Sequence, residues 1–198
     1  MRNDREALTR RQLPTIILLN GPPGSGKDTA AEYIESQCPT WHVKMADPIK
    51  DACAVTFAIP RAAVEDYKDQ PCPAAGGQPL RPWLIDYSEE FMKPRFGAGI
   101  FGILLARKLK QEQFAIPGSF PLVVVSDAGF GAEVDALRQH FIANYILIRL
   151  YRDGHTFEND SRSYISPYCL LTYSIRAESV SELEDKIRGL LTALKILA

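Results

Sequence analysis

No apolar run in this 198-residue chain approaches the roughly 20 residues needed to span a bilayer, so no segment reads as a membrane helix. Net charge is also scarce. Lys and Arg number 23 against 24 Asp and Glu, leaving −1, so no global basic field advertises nucleic-acid binding, although a local basic groove stays open. The four cysteines, Cys38, Cys53, Cys72 and Cys169, lie far apart and offer no metal-ligand pair; they read as reduced thiols of a cytosolic protein. His42, His140 and His155 have neither ligand nor triad spacing. Residues 1–13 are polar, carry Arg2, Arg5, Arg10 and Arg11, and lack the apolar stretch of a signal peptide; they read as a flexible, solvated arm. There is no internal repeat and no linker. The remaining composition, 24% charged and 46% hydrophobic, suits a soluble chain forming a single domain over residues 1–198.

Against that plain background one stretch stands out. Gly21-Pro22-Pro23-Gly24-Ser25-Gly26-Lys27-Asp28-Thr29 follows the apolar run Thr15–Asn20 and precedes the helix-like Ala30-Ala31-Glu32-Tyr33-Ile34. Strand, glycine-rich loop and helix are the setting of a phosphate-binding P-loop. Glycines let the backbone wrap tightly enough for successive N–H groups to converge on phosphate oxygens, and the helix start adds its positive dipole end. Lys27 is then the group that reaches the β- and γ-phosphates of ATP. Gly21, Gly24, Ser25, Gly26, Lys27, Asp28 and Thr29 form the candidate nucleotide site. The residue after the lysine is normally Ser or Thr, whose hydroxyl ligates Mg²⁺. Here it is Asp28, which can hold the ion through a water, and the hydroxyl moves to Thr29.

Apolar strand-like runs alternate with helix-like segments, which predicts an α/β chain with a five-stranded parallel sheet covered by helices. Strands are expected at Thr15–Asn20, Trp41–Ala46, Pro121–Val125, Tyr145–Leu150 and Cys169–Ile175. Helices are expected after the P-loop, from Pro48 with Asp47 as its cap, over Arg81–Met92, Ala98–Gln113, Ala132–Phe141 and Ser181–Leu197. In the last of these, Leu183, Ile187, Leu190 and Leu191 recur at helical spacing, and Ser179 or Ser181 caps the start. Residues 66–80, with three prolines and two glycines, cannot be regular helix or strand.

Ligands of open parallel sheets gather beyond the carboxyl ends of the strands, which nominates Asp47, Asp127 and the segment after Leu150 beside the P-loop. Asp127 ends a buried-strand pattern, as an acid on the metal side of a P-loop does; its alternative is a helix cap. Thr29 and Asp127 are the candidate Mg²⁺ residues. Residues 152–163 form a candidate lid, whose Arg152 and Arg162 would meet the spreading phosphoryl charge or else pair with nearby acids on the surface. Residues 47–113 form the candidate acceptor region. There Arg81, Lys93 and Arg95 could clamp an anion, Trp83, Phe91 or Phe96 stack on a base, and Asp47 or Glu89 orient the acceptor oxygen. Solvated charges on helix faces are the plainer account of each.

The motif Gly21–Thr29, with Ala46-Asp47-Pro48-Ile49-Lys50 and Val125-Ser126-Asp127-Ala128-Gly129-Phe130-Gly131-Ala132-Glu133, resembles the phage deoxynucleoside monophosphate kinases within the nucleotide-kinase branch of P-loop proteins. The last segment resembles a family pattern Ser-Asp-x-Arg-Phe-x-x-Glu in which Gly129 stands for the arginine. The chain also departs over Ser88–Gly97, where a Gly-Thr and arginine pattern is expected. The resemblance implies ATP and Mg²⁺ as cofactors, a small nucleotide as acceptor and a cytoplasmic location, the host's if phage-encoded. It equally implies an alternative, since related phage P-loop kinases phosphorylate 5-hydroxymethyluracil already incorporated in DNA; Lys93, Arg95 and the N-terminal arginines could then track a strand. A P-loop switch that binds ATP without transferring phosphate is the reading from another class. The oligomeric state stays open, a homodimer included.

Overall fold

The computed structural model describes residues 13–115, 122–166 and 170–197; the arm expected over residues 1–13 lies outside these but for Leu13, as do Pro121 and Cys169 of the expected strands. The elements run β1 (Thr15–Asn20), α1 (Lys27–Gln37), β2 (Trp41–Val43), α2 (Asp47–Thr56), α3 (Ala63–Asp66), α4 (Arg81–Asp86), α5 (Lys93–Phe96), α6 (Ile100–Ala115), β3 (Leu122–Val125), α7 (Gly131–His140), β4 (Asn144–Tyr151), β5 (Leu171–Arg176) and α8 (Val180–Ala193). The described residues group into two compact units. One draws on residues 13–43, 112–115, 122–129, 142–166 and 170–197, the other on Lys44–Gln111 and Phe130–Phe141.

All five strands belong to the first unit, in the parallel order β2-β3-β1-β4-β5. β1 is central because its side chains are apolar on both faces: Ile16, Ile17, Leu18 and Leu19 are all fully buried. Alternate residues of β1, β3 and β4 (Ile17, Leu19, Val124, Ile146 and Ile148) pack with Ala31 and Ile34 of α1 and with Leu183, Ile187 and Leu191 of α8. The spacing of the last three places one stripe of α8 on the sheet, as the sequence predicts, with Leu190 partly buried beside it. Ser179 caps α8, its hydroxyl accepting the Glu182 N–H at 3.2 Å.

The second unit is helical, with a small core of Cys53, Ala54, Val64, Cys72 and Leu80. Its irregular stretch is closed by backbone bonds: Cys72 pairs with Gln78 across a 3₁₀ turn at Pro73–Ala75, and Leu80 donates to the Tyr67 carbonyl at 3.0 Å. β2 stops at Val43 rather than Ala46, because Asp47 folds back: its N–H donates to the Lys44 carbonyl at 3.2 Å, and its Oδ2 accepts the Lys44 N–H at 3.0 Å. Asp47 is therefore the first residue of α2, not its cap, and Ala46 precedes it without a side-chain cap. The helix expected over 81–92 is interrupted too. After α4 the chain widens into a π-helical stretch at Tyr87–Met92. Pro94 has no N–H for the carbonyl four residues earlier, that of Glu90, and the Arg95 guanidinium takes it at 3.3 Å instead.

Ile187 is wholly buried in the sheet–helix layer, so Ile187→Ala should cost about 2–5 kcal/mol of unfolding free energy, and Ser179→Ala about 1 kcal/mol. Urea denaturation of the two variants checks both magnitudes.

Candidate functional site: the glycine loop and its lid

The loop after β1 is shaped by what its glycines leave out. Gly24 and Gly26 sit at φ +75° and +90°, where L side chains are strained. A Cβ at Gly21 would stand 2.5 Å from Ser25 Oγ and 2.7 Å from the Leu150 carbonyl; one at Gly24 would meet the His155 ring at 2.5 Å. Gly26 is the residue before α1, and no side chain caps the helix, so the N–H groups of its first turn are left to a ligand or solvent. The Ser25 hydroxyl is buried without a hydrogen-bond partner. An uncapped helix start, a glycine cradle and an orphaned hydroxyl suit a bound phosphate chain.

Lys27 heads α1 and folds back over the loop, donating to the carbonyls of Gly21 and Pro22, each at 2.7 Å. Burial first, and the Arg162 guanidinium second, lower its pKa to about 8 against the opposing pull of Asp28, Asp160 and Asp127. The site thus gathers Lys27, Arg162 and three carboxylates, with Asp127 two residues after β3 and half-buried. Of the expected metal residues, Asp127 lies in this group and Thr29 lines the adjoining depression described below. Among the described residues no cluster of three His, Cys, Asp or Glu forms a metal site by itself, so Mg²⁺ would arrive with the nucleotide.

The segment after β4 rests on the loop. Arg152 Nη1 donates to the Gly24 carbonyl at 3.2 Å, and His155 Nδ1 meets the Pro23 carbonyl at 3.0 Å. Arg162 takes the other predicted course, pairing with Asp160 through Nε at 2.8 Å and Nη2 at 2.5 Å, which holds the Asp160 carboxyl below its usual range. The far end of the segment is tied by Ser163 N–H to the Gly129 carbonyl at 3.3 Å and by Asn20, whose amide N–H group donates to the Ser163 carbonyl at 3.0 Å. Beside the loop, Ser25, Gly26, Thr29, Arg152, Glu178 and Ser179 line an open depression of about 40 Å³.

The second unit holds the expected acceptor residues in two groups. Asp47 Oδ1 accepts Arg61 Nη2 at 3.0 Å, with Lys108 Nζ at 3.8 Å from Oδ2. Lys93 Nζ pairs with Glu89 at 2.7 Å, lies 3.8 Å from the buried Glu133 and stands 3.6 Å over the Phe130 ring. Arg81 instead pairs with Asp69, both exposed. Trp83, Tyr87 and Phe91 stack in succession, with centroids 4.9 and 5.5 Å apart, and Arg95 lies over Phe91 at 4.3 Å; Phe96 is exposed. Asp160 is one of the nearby acids expected to pair with Arg152 and Arg162, and it takes Arg162. Sequence reasoning passed over Arg61, which reaches Asp47 from 14 residues on and has no local signal.

No family model and no curated protein matches the chain. Its fold does match solved structures: an unliganded sugar kinase from a Janibacter species (TM-score 0.51, 16% identity, covering 93% of this chain and 95% of the other) and the Thermus thermophilus protein TT1252 (TM-score 0.50, 14% identity, 94% and 100%). The parallel five-stranded sheet with helices packed on it is the fold the chain shares with these structures.

With Lys27 half-deprotonated near pH 8, a bound polyanion would restore its proton. ATP binding at pH 8 should therefore take up protons and weaken as pH rises further. Calorimetry in buffers of different ionisation enthalpy reads the uptake directly, and Lys27→Arg should abolish it.

Proposed function

We propose that the chain is an ATP- and Mg²⁺-dependent kinase whose acceptor is a deoxynucleotide, the free deoxynucleoside monophosphate being the reading we favour. The observation that carries the ATP half is the Lys27 arrangement: a desolvated ammonium parked on loop carbonyls beside an orphaned Ser25 hydroxyl. When bound, Mg²⁺ would neutralise charge on the β- and γ-phosphates, with Thr29 and Asp127 as its residues and Asp28 on its water.

The chain's own groups do the rest. Lys27 exchanges two neutral carbonyls for anionic phosphate oxygens, replacing an ion–dipole contact with an ion pair. Arg152 and His155 release the Gly24 and Pro23 carbonyls as nucleotide enters and close again over it, which excludes water that would otherwise hydrolyse ATP. Arg162, already placed near Lys27, stabilises the spreading charge of the transferred group. Lid arginines of this kind argue for transfer over a switch that only binds ATP. On the acceptor side, the cations on Asp47 and the Lys93 group supply charge for an anionic substrate, with Asp47 Oδ1 fixed by Arg61 as the orienting acid.

A second reading, phosphorylation of a hydroxymethyl group on a base in DNA, is favoured by the Trp83-Tyr87-Phe91-Arg95 ladder, which is the kind of surface a single strand stacks along. Labelled-phosphate transfer from MgATP separates the two. Label in free deoxynucleoside diphosphates supports the first, label only in hydroxymethylated DNA the second. A sugar serves as a further acceptor, prompted by the Janibacter kinase. Label in none of these, with ATP turnover that no acceptor stimulates, would leave the switch. Lys27→Ala should lower kcat about 10²- to 10³-fold with the circular dichroism spectrum unchanged; undiminished transfer by that variant removes the scheme.

A further inference from the structure

Leading away from the P-loop acid is a run of contacts that phosphate binding alone does not require. Ser126 Oγ, directly after β3 and 1% exposed, donates to Asp28 Oδ1 at 3.1 Å. A hydroxyl has one proton, so with that proton on Asp28 its lone pair must accept from His42, whose Nε2 stands 2.8 Å away on β2. The other ring nitrogen of His42, Nδ1, faces Glu35 Oε2 at 3.3 Å. Asp28 and Glu35 are seven residues apart on α1, two turns along one face, and the two strands reach across to both. The order Glu35, His42, Ser126 looks like a nucleophilic triad, but the serine is buried and its proton points to Asp28 rather than to the histidine, so it attacks nothing.

Fastening α1 is not what the contacts are placed for. The helix is already held by buried Ala30, Ala31, Tyr33 and Ile34, and a hydrogen bond to an exposed carboxylate such as Asp28 adds little stability. What such a bond does is restrict the rotamer of a side chain that would otherwise sample several. Asp28 stands where a P-loop ordinarily has the hydroxyl that ligates Mg²⁺. We propose that Ser126 and His42 are positioning residues for Asp28: anchored on two strands, they preset the P-loop carboxylate for the water shell of nucleotide-bound Mg²⁺. The proposal rests on the MgATP reading above. Outer-shell partners of this kind typically change metal affinity or activity by about 10- to 100-fold when removed.

The test is calorimetric ATP binding to the full chain, with Mg²⁺ and with EDTA in its place. Ser126→Ala and His42→Leu should each weaken MgATP binding about tenfold and leave metal-free ATP binding unchanged. His42→Gln, which keeps an N–H donor, should stay near wild type, and the His42 pair carries the test if Ser126→Ala does not fold. Asp28→Asn should show the same Mg²⁺-specific loss, and in that background Ser126→Ala should add nothing, because both act through one carboxylate. Equal losses with and without Mg²⁺, or additive losses in the double variant, would overturn the proposal and leave a helix fastening. A wild type that binds ATP equally well in both buffers overturns it as well while leaving the nucleotide site standing. A wild type that binds no ATP sinks the P-loop reading itself.

Discussion

Three chain segments meet beside the glycine loop because one amide is buried where they cross. Asn20, the last residue of β1, is fully inaccessible, and its two Nδ2 protons go to the carbonyls of Ala128 at 2.8 Å and Ser163 at 3.0 Å. Its Oδ1 accepts the Ile165 N–H at 2.9 Å. The P-loop that starts at Gly21, the turn after β3 and the return of the lid are thereby joined at one point. Removing that side chain would leave three backbone groups unpaired together, each at the cost of a desolvated polar group.

Once those segments are fixed, the electrostatics follow. Lys27 and Arg162, both half-buried, are brought near enough to repel each other. Asp160 satisfies Arg162, and two loop carbonyls satisfy Lys27, but neutral dipoles compensate an ammonium less well than a phosphate would. The lowered pKa of Lys27 is the trace of that deficit. Folding without ligand thus leaves the Lys27 ammonium partly desolvated, and a phosphate oxygen in place of the loop carbonyls would relieve it.

The P-loop was legible in the sequence because its determinants are local: three glycines, a lysine and the flanking strand and helix all fall within 20 residues. The sheet was legible for a related reason, since alternation of apolar runs with helices admits few topologies. What escaped were the features made by distant partners. His42 and Ser126 are 84 residues apart in the chain and 2.8 Å apart in space, and neither has a local pattern that names the other. Asp47 read as a helix cap because an acid before proline usually is one, yet the Lys44 N–H takes its carboxylate first. The π-helical stretch depends on a proline seven residues beyond its first residue, past the span that helical periodicity inspects.

Gly129 joins these two kinds of evidence. In the pattern that the segment resembles, an arginine stands at this position, and its absence looks like a lost cation. A Cβ built on Gly129 would fall on the Cβ, Cγ and Cδ of Arg162, so the lid arginine's stem already lies across the glycine. Any side chain at 129 would push that stem away, and with it the guanidinium that acts on Lys27. The glycine and the lid arginine are therefore one feature, a cation delivered from the segment after β4 over a residue small enough to let it pass. A departure at one position, read alone, suggests a weakened site; its neighbour in space shows that another arginine's stem already occupies the room a side chain there would take.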